Sequence, residues 1–138
     1  MSQKKIEVFD YNHSMGSLMS ERLRGLGYAS SNHPVDVNTK QEHIEELINE
    51  SNPDAIILPV NFRQYAVTIK PTDRDMKGME VVKYLRQQGV NIPIAMFSGS
   101  SEYDVKAKEA GANLFFYGAQ TNEDLDEIIN NLIKEKQQ

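Results

Sequence analysis

Apolar and polar positions fall into blocks along these 138 residues, and the period changes from block to block. K-K-I-E-V-F is short, rich in β-formers and followed by the polar cluster D-Y-N-H-S, which predicts a first strand ending in a loop. Met15, Leu18, Met19, Leu23 and Leu26 then recur at helical spacing, and Gly27 follows as the stop of helix one. A second strand is expected within Tyr28 to Val37, where Pro34 confines it to a sheet edge. Thr39 and Glu42 have capping-box spacing, with Ile44, Leu47 and Ile48 on one face, so helix two is placed over about 39–50.

A-I-I-L behind Asp54 is continuously apolar, as a strand covered on both faces must be, and belongs at the sheet centre with Pro59 at its end. Met79, Val82 and Leu85 mark helix three, ending near Gly89, and I-P-I-A-M-F-S is a fourth strand. Ser101 with Asp104 opens helix four, which stops at Gly111, and N-L-F-F-Y is strand five. Leu125, Ile128, Ile129, Leu132 and Ile133 give the strongest amphipathic pattern, started by Thr121 and Asp124. Five strands alternating with five helices imply right-handed crossovers, a parallel sheet and an α/β fold of three layers. Functional groups in such a sheet gather at the carboxyl ends of the strands, which are Asp10-Tyr11-Asn12, Pro59-Val60-Asn61, Ser98-Gly99 and Tyr117-Gly118.

Composition narrows the chemistry. One domain spanning 1–138 is expected, because a chain of this length is short for two cores. Charged residues at 25% and hydrophobic ones at 39% are ordinary for a water-soluble protein, with no apolar run long enough for a membrane span. M-S-Q-K-K-I-E-V enters the strand pattern directly, so a cytoplasmic location is expected. The absence of cysteine removes disulfides and thiolate zinc sites and leaves His13, His33 and His43 as the nitrogen ligands, so neither a metal nor a cofactor is expected. A net charge of −5 argues against nucleic-acid binding.

In order and spacing, K-K-I-E-V-F-D-Y-N-H-S-M, P-D-A-I-I-L-P, M-K-G-M-E-V-V-K-Y-L-R, N-I-P-I-A-M-F-S-G-S and E-A-G-A-N-L-F-F-Y resemble a response-regulator receiver domain, CheY-like, across the whole chain. The resemblance implies a flavodoxin-like (βα)5 fold with strand order 2-1-3-4-5. It also implies a pocket in which an aspartate ending strand three accepts phosphate, two acidic residues after strand one hold Mg2+, a Ser or Thr ends strand four and a lysine ends strand five. There, metal and lysine neutralise charge building on the phosphoryl oxygens. This chain keeps the first acidic position as Asp10 and the hydroxyl as Ser98. It has Tyr11 at the second acidic position, Pro59 at the nucleophile position and Gly118, followed by Ala119, at the lysine position. A phenol is a poor ligand for a hard cation, which leaves Asp10 as a weak metal candidate. Phe115 falls where the family places its switch aromatic.

The expectation is therefore a degenerate pseudo-receiver: not an enzyme, but a phosphorylation-independent module of a two-component or related bacterial pathway acting by protein–protein contact. The resemblance implies a contact surface on helix four, strand five and helix five, containing Glu102, Tyr103, Lys106, Tyr117 and the exposed side of Leu125 to Ile133. It would serve a signalling partner or a homodimer. Between Pro59 and Gly78 the connection is longer than in the family, an insertion at about 61–76. Tyr65, Val67 and Ile69 alternate as in a short strand, which would cover the pocket or offer an edge to a partner, and a tolerated surface loop reads equally well. Asp73 and Asp75 are poor replacements for the missing carboxylate, since a loop does not preorganise a nucleophile.

Other chemistries are weighed against plainer roles. His13-Ser14-Met15-Gly16 has the H-x-x-G core of a cobalamin-binding motif, so a small-molecule-binding α/β domain is the alternative, although a solvent-facing loop histidine accounts for it. Ser98 as a hydrolase nucleophile needs a base, and no histidine is expected near another strand end; its plainer role is to bond loop backbone. Glu42, Glu45, Glu46 and Glu50 read as the solvated face of helix two, and Met15, Met19, Met79 and Met96 as core.

Overall fold

A computed structural model describes residues 3–10, 15–36, 38–62, 77–118 and 120–136. Strands β1 (Lys5–Asp10), β2 (Ala29–Pro34), β3 (Ala55–Pro59), β4 (Ile94–Ser98) and β5 (Leu114–Tyr117) form one parallel sheet in the order β2-β1-β3-β4-β5. Helices α1 (Met15–Gly25), α2 (Gln41–Ser51), α3 (Lys77–Gln87), α4 (Asp104–Ala110) and α5 (Asn122–Lys136) alternate with them. The alternating pattern predicts the three-layer α/β sheet, and the order is the flavodoxin-like (βα)5 one that the resemblance implies.

Each central strand contributes to two cores, because successive side chains point to opposite faces. Phe9, Ile56, Leu58, Ile94 and Met96 pack with α2, α3 and α4 through Ile44, Ile48, Val82, Leu85 and Ala107. Ile6, Val8, Ala55, Ile57, Ala95 and Phe97 pack with α1 and α5 through Met19, Leu23, Leu125, Ile129 and Leu132. That two-sided burial is why β3 reads as an unbroken apolar run.

Several local readings change. α2 begins at Gln41, after Lys40, and no capping box forms: the Thr39 hydroxyl turns back to accept from the Asp36 N–H at 2.9 Å. A 3-10 turn, Ser101–Tyr103, precedes α4, and Ser100, not Ser101, is its cap, accepting from the Glu102 N–H at 3.3 Å. At α5 the Thr121 hydroxyl does accept from the Asp124 N–H, at 3.0 Å. Leu18, in phase with the apolar face of α1, nevertheless stands in solvent, while Met19 and Leu23 are buried. Glu45 is not purely solvated, since it accepts from the Tyr84 hydroxyl of α3 at 2.7 Å. Met19, Met79 and Met96 are core; the side chain of Met15 lies outside what is described. Of the expected insertion, Phe62 is a fully buried core residue, and 63–76, with Tyr65, Val67, Ile69, Asp73 and Asp75, lies outside the described residues. Among the described residues no helix is long and apolar enough to cross a membrane.

Candidate functional site

The order β2-β1-β3 reverses chain direction across the sheet between β1 and β3, so the crevice at the carboxyl ends of those strands is the natural site of the fold. The strand ends that surround it are Asp10, Pro59, Ser98 and, after Tyr117, Gly118. Register aligns them along one edge, with Pro59 opposite Phe97 and Ser98 opposite Tyr117. Tyr11 and His13, also assigned to this edge, lie outside the described residues.

Asp10 is buried, and its Oδ2 accepts from the Gly16 N–H in the first turn of α1 at 3.0 Å, which places the carboxylate at the positive end of the helix dipole. Its backbone is clamped as well. The Asp10 N–H donates to Asn32 Oδ1 at 3.1 Å, and its carbonyl accepts from Asn32 Nδ2 at 3.2 Å and from the Val35 N–H at 3.1 Å. Asn32 carries no signal as a strand residue in the sequence, and only the pairing of β1 with β2 reveals its role.

Pro59 is buried, and the exit of β3 is closed directly over it. The Gly78 N–H donates to the Val60 carbonyl at 2.8 Å, and a Cβ at Gly78 would lie 1.8 Å from the Pro59 carbonyl oxygen. Only glycine allows the start of α3 to approach this closely. The Val60 N–H in turn donates to the Phe97 carbonyl at 2.9 Å, continuing the ladder past the proline.

Ser98 is half-buried and organises the loop after β4: its Oγ accepts from the Ser100 N–H at 3.2 Å, and its carbonyl from the Gly118 N–H at 3.3 Å. One histidine does lie near a strand end, contrary to expectation, because β2 runs further than Pro34 suggested. His33 is the penultimate residue of β2, but it stacks on Phe9 with ring centroids 5.0 Å apart and pairs with the buried carboxylate of Glu7. β1 and β3 separate it from β4, so Ser98 gains no base.

Gly118 is exposed with φ of 73°, in the left-handed region, and a Cβ there would meet nothing within 4 Å. Space for a side chain exists, but the backbone disfavours one. Phe115 is half-buried against the α2–α3–α4 core, Phe116 is buried and stacks on Phe97 at 5.8 Å, and Tyr117 is 55% exposed. On the proposed partner face, Glu102 and Lys106 are exposed, and Tyr103 packs partly against the core. The sequence reading omitted Val105, which is 66% exposed on the same helix as Lys106; a lone valine in a short polar helix gives no periodic signal.

No family model matches the chain, and no curated protein matches it by sequence. Solved structures do. The receiver domain of the Francisella response regulator 1452 superposes with a TM-score of 0.72 at 19% identity, over 97% of this chain and 99% of that one. The chemotaxis response regulator CheY4 of Vibrio cholerae gives 0.69 at 20%, over 95% and 99%. NtrX from Brucella abortus gives 0.75 at 18%, over 99% of this chain and 28% of that longer one.

The fold is that of a receiver domain.

Set on a receiver fold, the described strand ends at the carboxyl edge offer the Asp10 carboxylate, the Ser98 hydroxyl, a proline and a glycine. Among the described residues no three His, Cys, Asp or Glu side chains gather to hold a metal. The Asp10 carboxylate bonds the first turn of α1, and as the carboxylate that the described residues place at this edge it falls short, by itself, of the several oxygen ligands that magnesium takes.

Proposed function

We propose that this chain is a pseudo-receiver: a phosphorylation-independent, non-enzymatic signalling module that works by protein–protein contact in a two-component or related pathway. The observation that carries the reading is Pro59. It is buried in register at the end of β3, beneath the start of α3, and offers no atom that can attack phosphorus. Gly118 and Asp10 support it from either side: one supplies no cation to a phosphoryl oxygen, and the other anchors a helix instead of completing a metal site. The partner surface is the face made by the 3-10 turn, α4 and β5, where Glu102, Val105, Lys106 and Tyr117 are exposed together. It combines an apolar centre with charged neighbours, as protein-binding patches do.

Incubation of the protein with acetyl phosphate and Mg2+, followed by intact-mass measurement, tests this reading. The mass is expected to be unchanged. An adduct of one phosphoryl group, mapped by peptide analysis to any carboxylate, would overturn it.

A further inference from the structure

Leu18 falls in phase with the apolar face of α1 yet is 59% exposed, whereas Met19 and Leu23 on the same helix are buried. It forms one wall of a pocket of about 160 Å3 between α1, the end of β5 and the start of α5. Met19, Phe116 and Leu125 supply the rest of the apolar lining, Gly118 adds no side chain, and Arg22 brings the one charge. An apolar cavity of about 150 Å3 holds a benzene ring. An apolar body of that size would take the pocket face of Leu18 out of water, which favours its entry.

Arg22 sets the chemistry of the occupant. Its Nε donates to Asn122 Oδ1 at 2.8 Å and its Nη2 to the Gln120 carbonyl at 2.5 Å. These bonds use the Nε–Nη2 edge of the guanidinium, and both acceptors are neutral. Among the described residues no carboxylate pairs with Arg22 and no acceptor takes the Nη1 hydrogens. The Nη1 end of the fork therefore keeps its donors, in the planar geometry that meets a carboxylate through two parallel bonds. The bonds already made within the chain hold the side chain in place before a ligand arrives, which lowers the ordering cost of binding. An apolar hole with one fixed cation in its wall suits an amphiphile, whose ring goes inside and whose charge meets the guanidinium.

We propose that this pocket binds a small aromatic carboxylate, with the ring against Met19, Phe116 and Leu125 and the carboxylate on the Nη1 end of Arg22. The site goes beyond the proposed function and does not rest on it. It borders the partner face at Tyr117, but its occupancy is measured on the chain alone, and phosphoryl uptake is read separately, so either can fail without the other.

Titration of the intact chain with phenylacetate, followed by calorimetry and by amide and methyl NMR shifts, tests the site. Saturable one-to-one binding is expected, with the largest shifts at Met19, Phe116 and Leu125. 2-Phenylacetamide, of similar shape without the charge, is expected to bind roughly tenfold more weakly. Arg22→Gln is expected to abolish that preference, and Leu18→Ser to weaken acid and amide by a similar factor. Circular dichroism of Leu18→Ser is expected to match the parent, because the replaced side chain is exposed; that variant and the acid–amide comparison carry the test if Arg22→Gln loosens α5. Absence of saturable phenylacetate binding overturns the proposal. So do equal affinities for acid and amide, an unchanged preference in Arg22→Gln, shifts centred away from the pocket, and tighter binding of phenethylamine, which would give the site to the exposed carboxylates of Glu123 and Asp124 in the first turn of α5.

Discussion

At Gly118 the backbone adopts φ of 73°, and the vacancy for a side chain there is real but strained. An L-residue held in that region costs on the order of 1–2 kcal/mol. Gly118→Lys is therefore expected to lower stability in urea by about that amount, and still to gain no phosphoryl group from acetyl phosphate, because β3 continues to end in Pro59. A lysine variant as stable as the parent would sink the backbone argument, and one that took up phosphate would sink the chemical one. Pro59, Ser98 and Gly118 were legible as strand ends because proline, glycine and small polar residues punctuate apolar runs. The tie from Gly16 to Asp10 was not, since it spans a loop whose path no local pattern encodes.

Among the elements, β2 is the least strand-like in composition, A-S-S-N-H-P, and is held on the sheet edge by side chains of specific chemistry. Glu7 lies buried in β1 with His33 as its partner on β2, and Asn32 clamps Asp10 next to it. His33→Ala leaves a carboxylate buried without that partner and is expected to cost about 1–3 kcal/mol. The pair Glu7→Leu with His33→Leu is expected to cost less than the sum of its singles, since removing both polar partners leaves neither buried without the other. Urea unfolding of the four proteins checks this; additive losses would show that the two side chains act independently. Pro34 gave the edge position, and the polar composition of β2 is why its bounds were not legible. By contrast β3, α3 and α5 were read closely, because burial on two faces or on one helical stripe leaves an unambiguous period. The hydroxyl cap expected at Thr39 failed where that of Thr121 formed, because the Asp36 N–H competes for the Thr39 hydroxyl.

At the scale of the whole molecule, a tyrosine among the described residues ties each helical layer. Tyr28 donates to Asp126 of α5 at 2.7 Å, and Tyr84 of α3 donates to Glu45 of α2 at 2.7 Å. Burial first, and then the bond to Asp126, pushes the Tyr28 phenol up to about 12. For Tyr84 the bond to Glu45 leads, with burial second, and also pushes it up to about 12. The folded chain thus holds these protons more tightly than the unfolded one, whose phenols titrate near 10. Stability from both is complete below pH 10 and is lost as pH rises through about 12. Tyr28→Phe and Tyr84→Phe are each expected to flatten that alkaline limb in denaturation midpoints, and a limb unchanged in the double variant would refute the linkage. At the opposite edge from the crevice, half-buried Arg86 donates to the carbonyls of Gly111, Val90 and Ile92 and to Asn113 Oδ1, riveting the amino end of the sheet. The carboxyl end has its own consequence. An acyl phosphate is a timer, formed by one encounter and erased by water at its own rate; a pyrrolidine ring in that position keeps no time. Whatever message passes through this chain would then last only as long as its complexes do, so its duration would be set by dissociation rates and by how many copies are present.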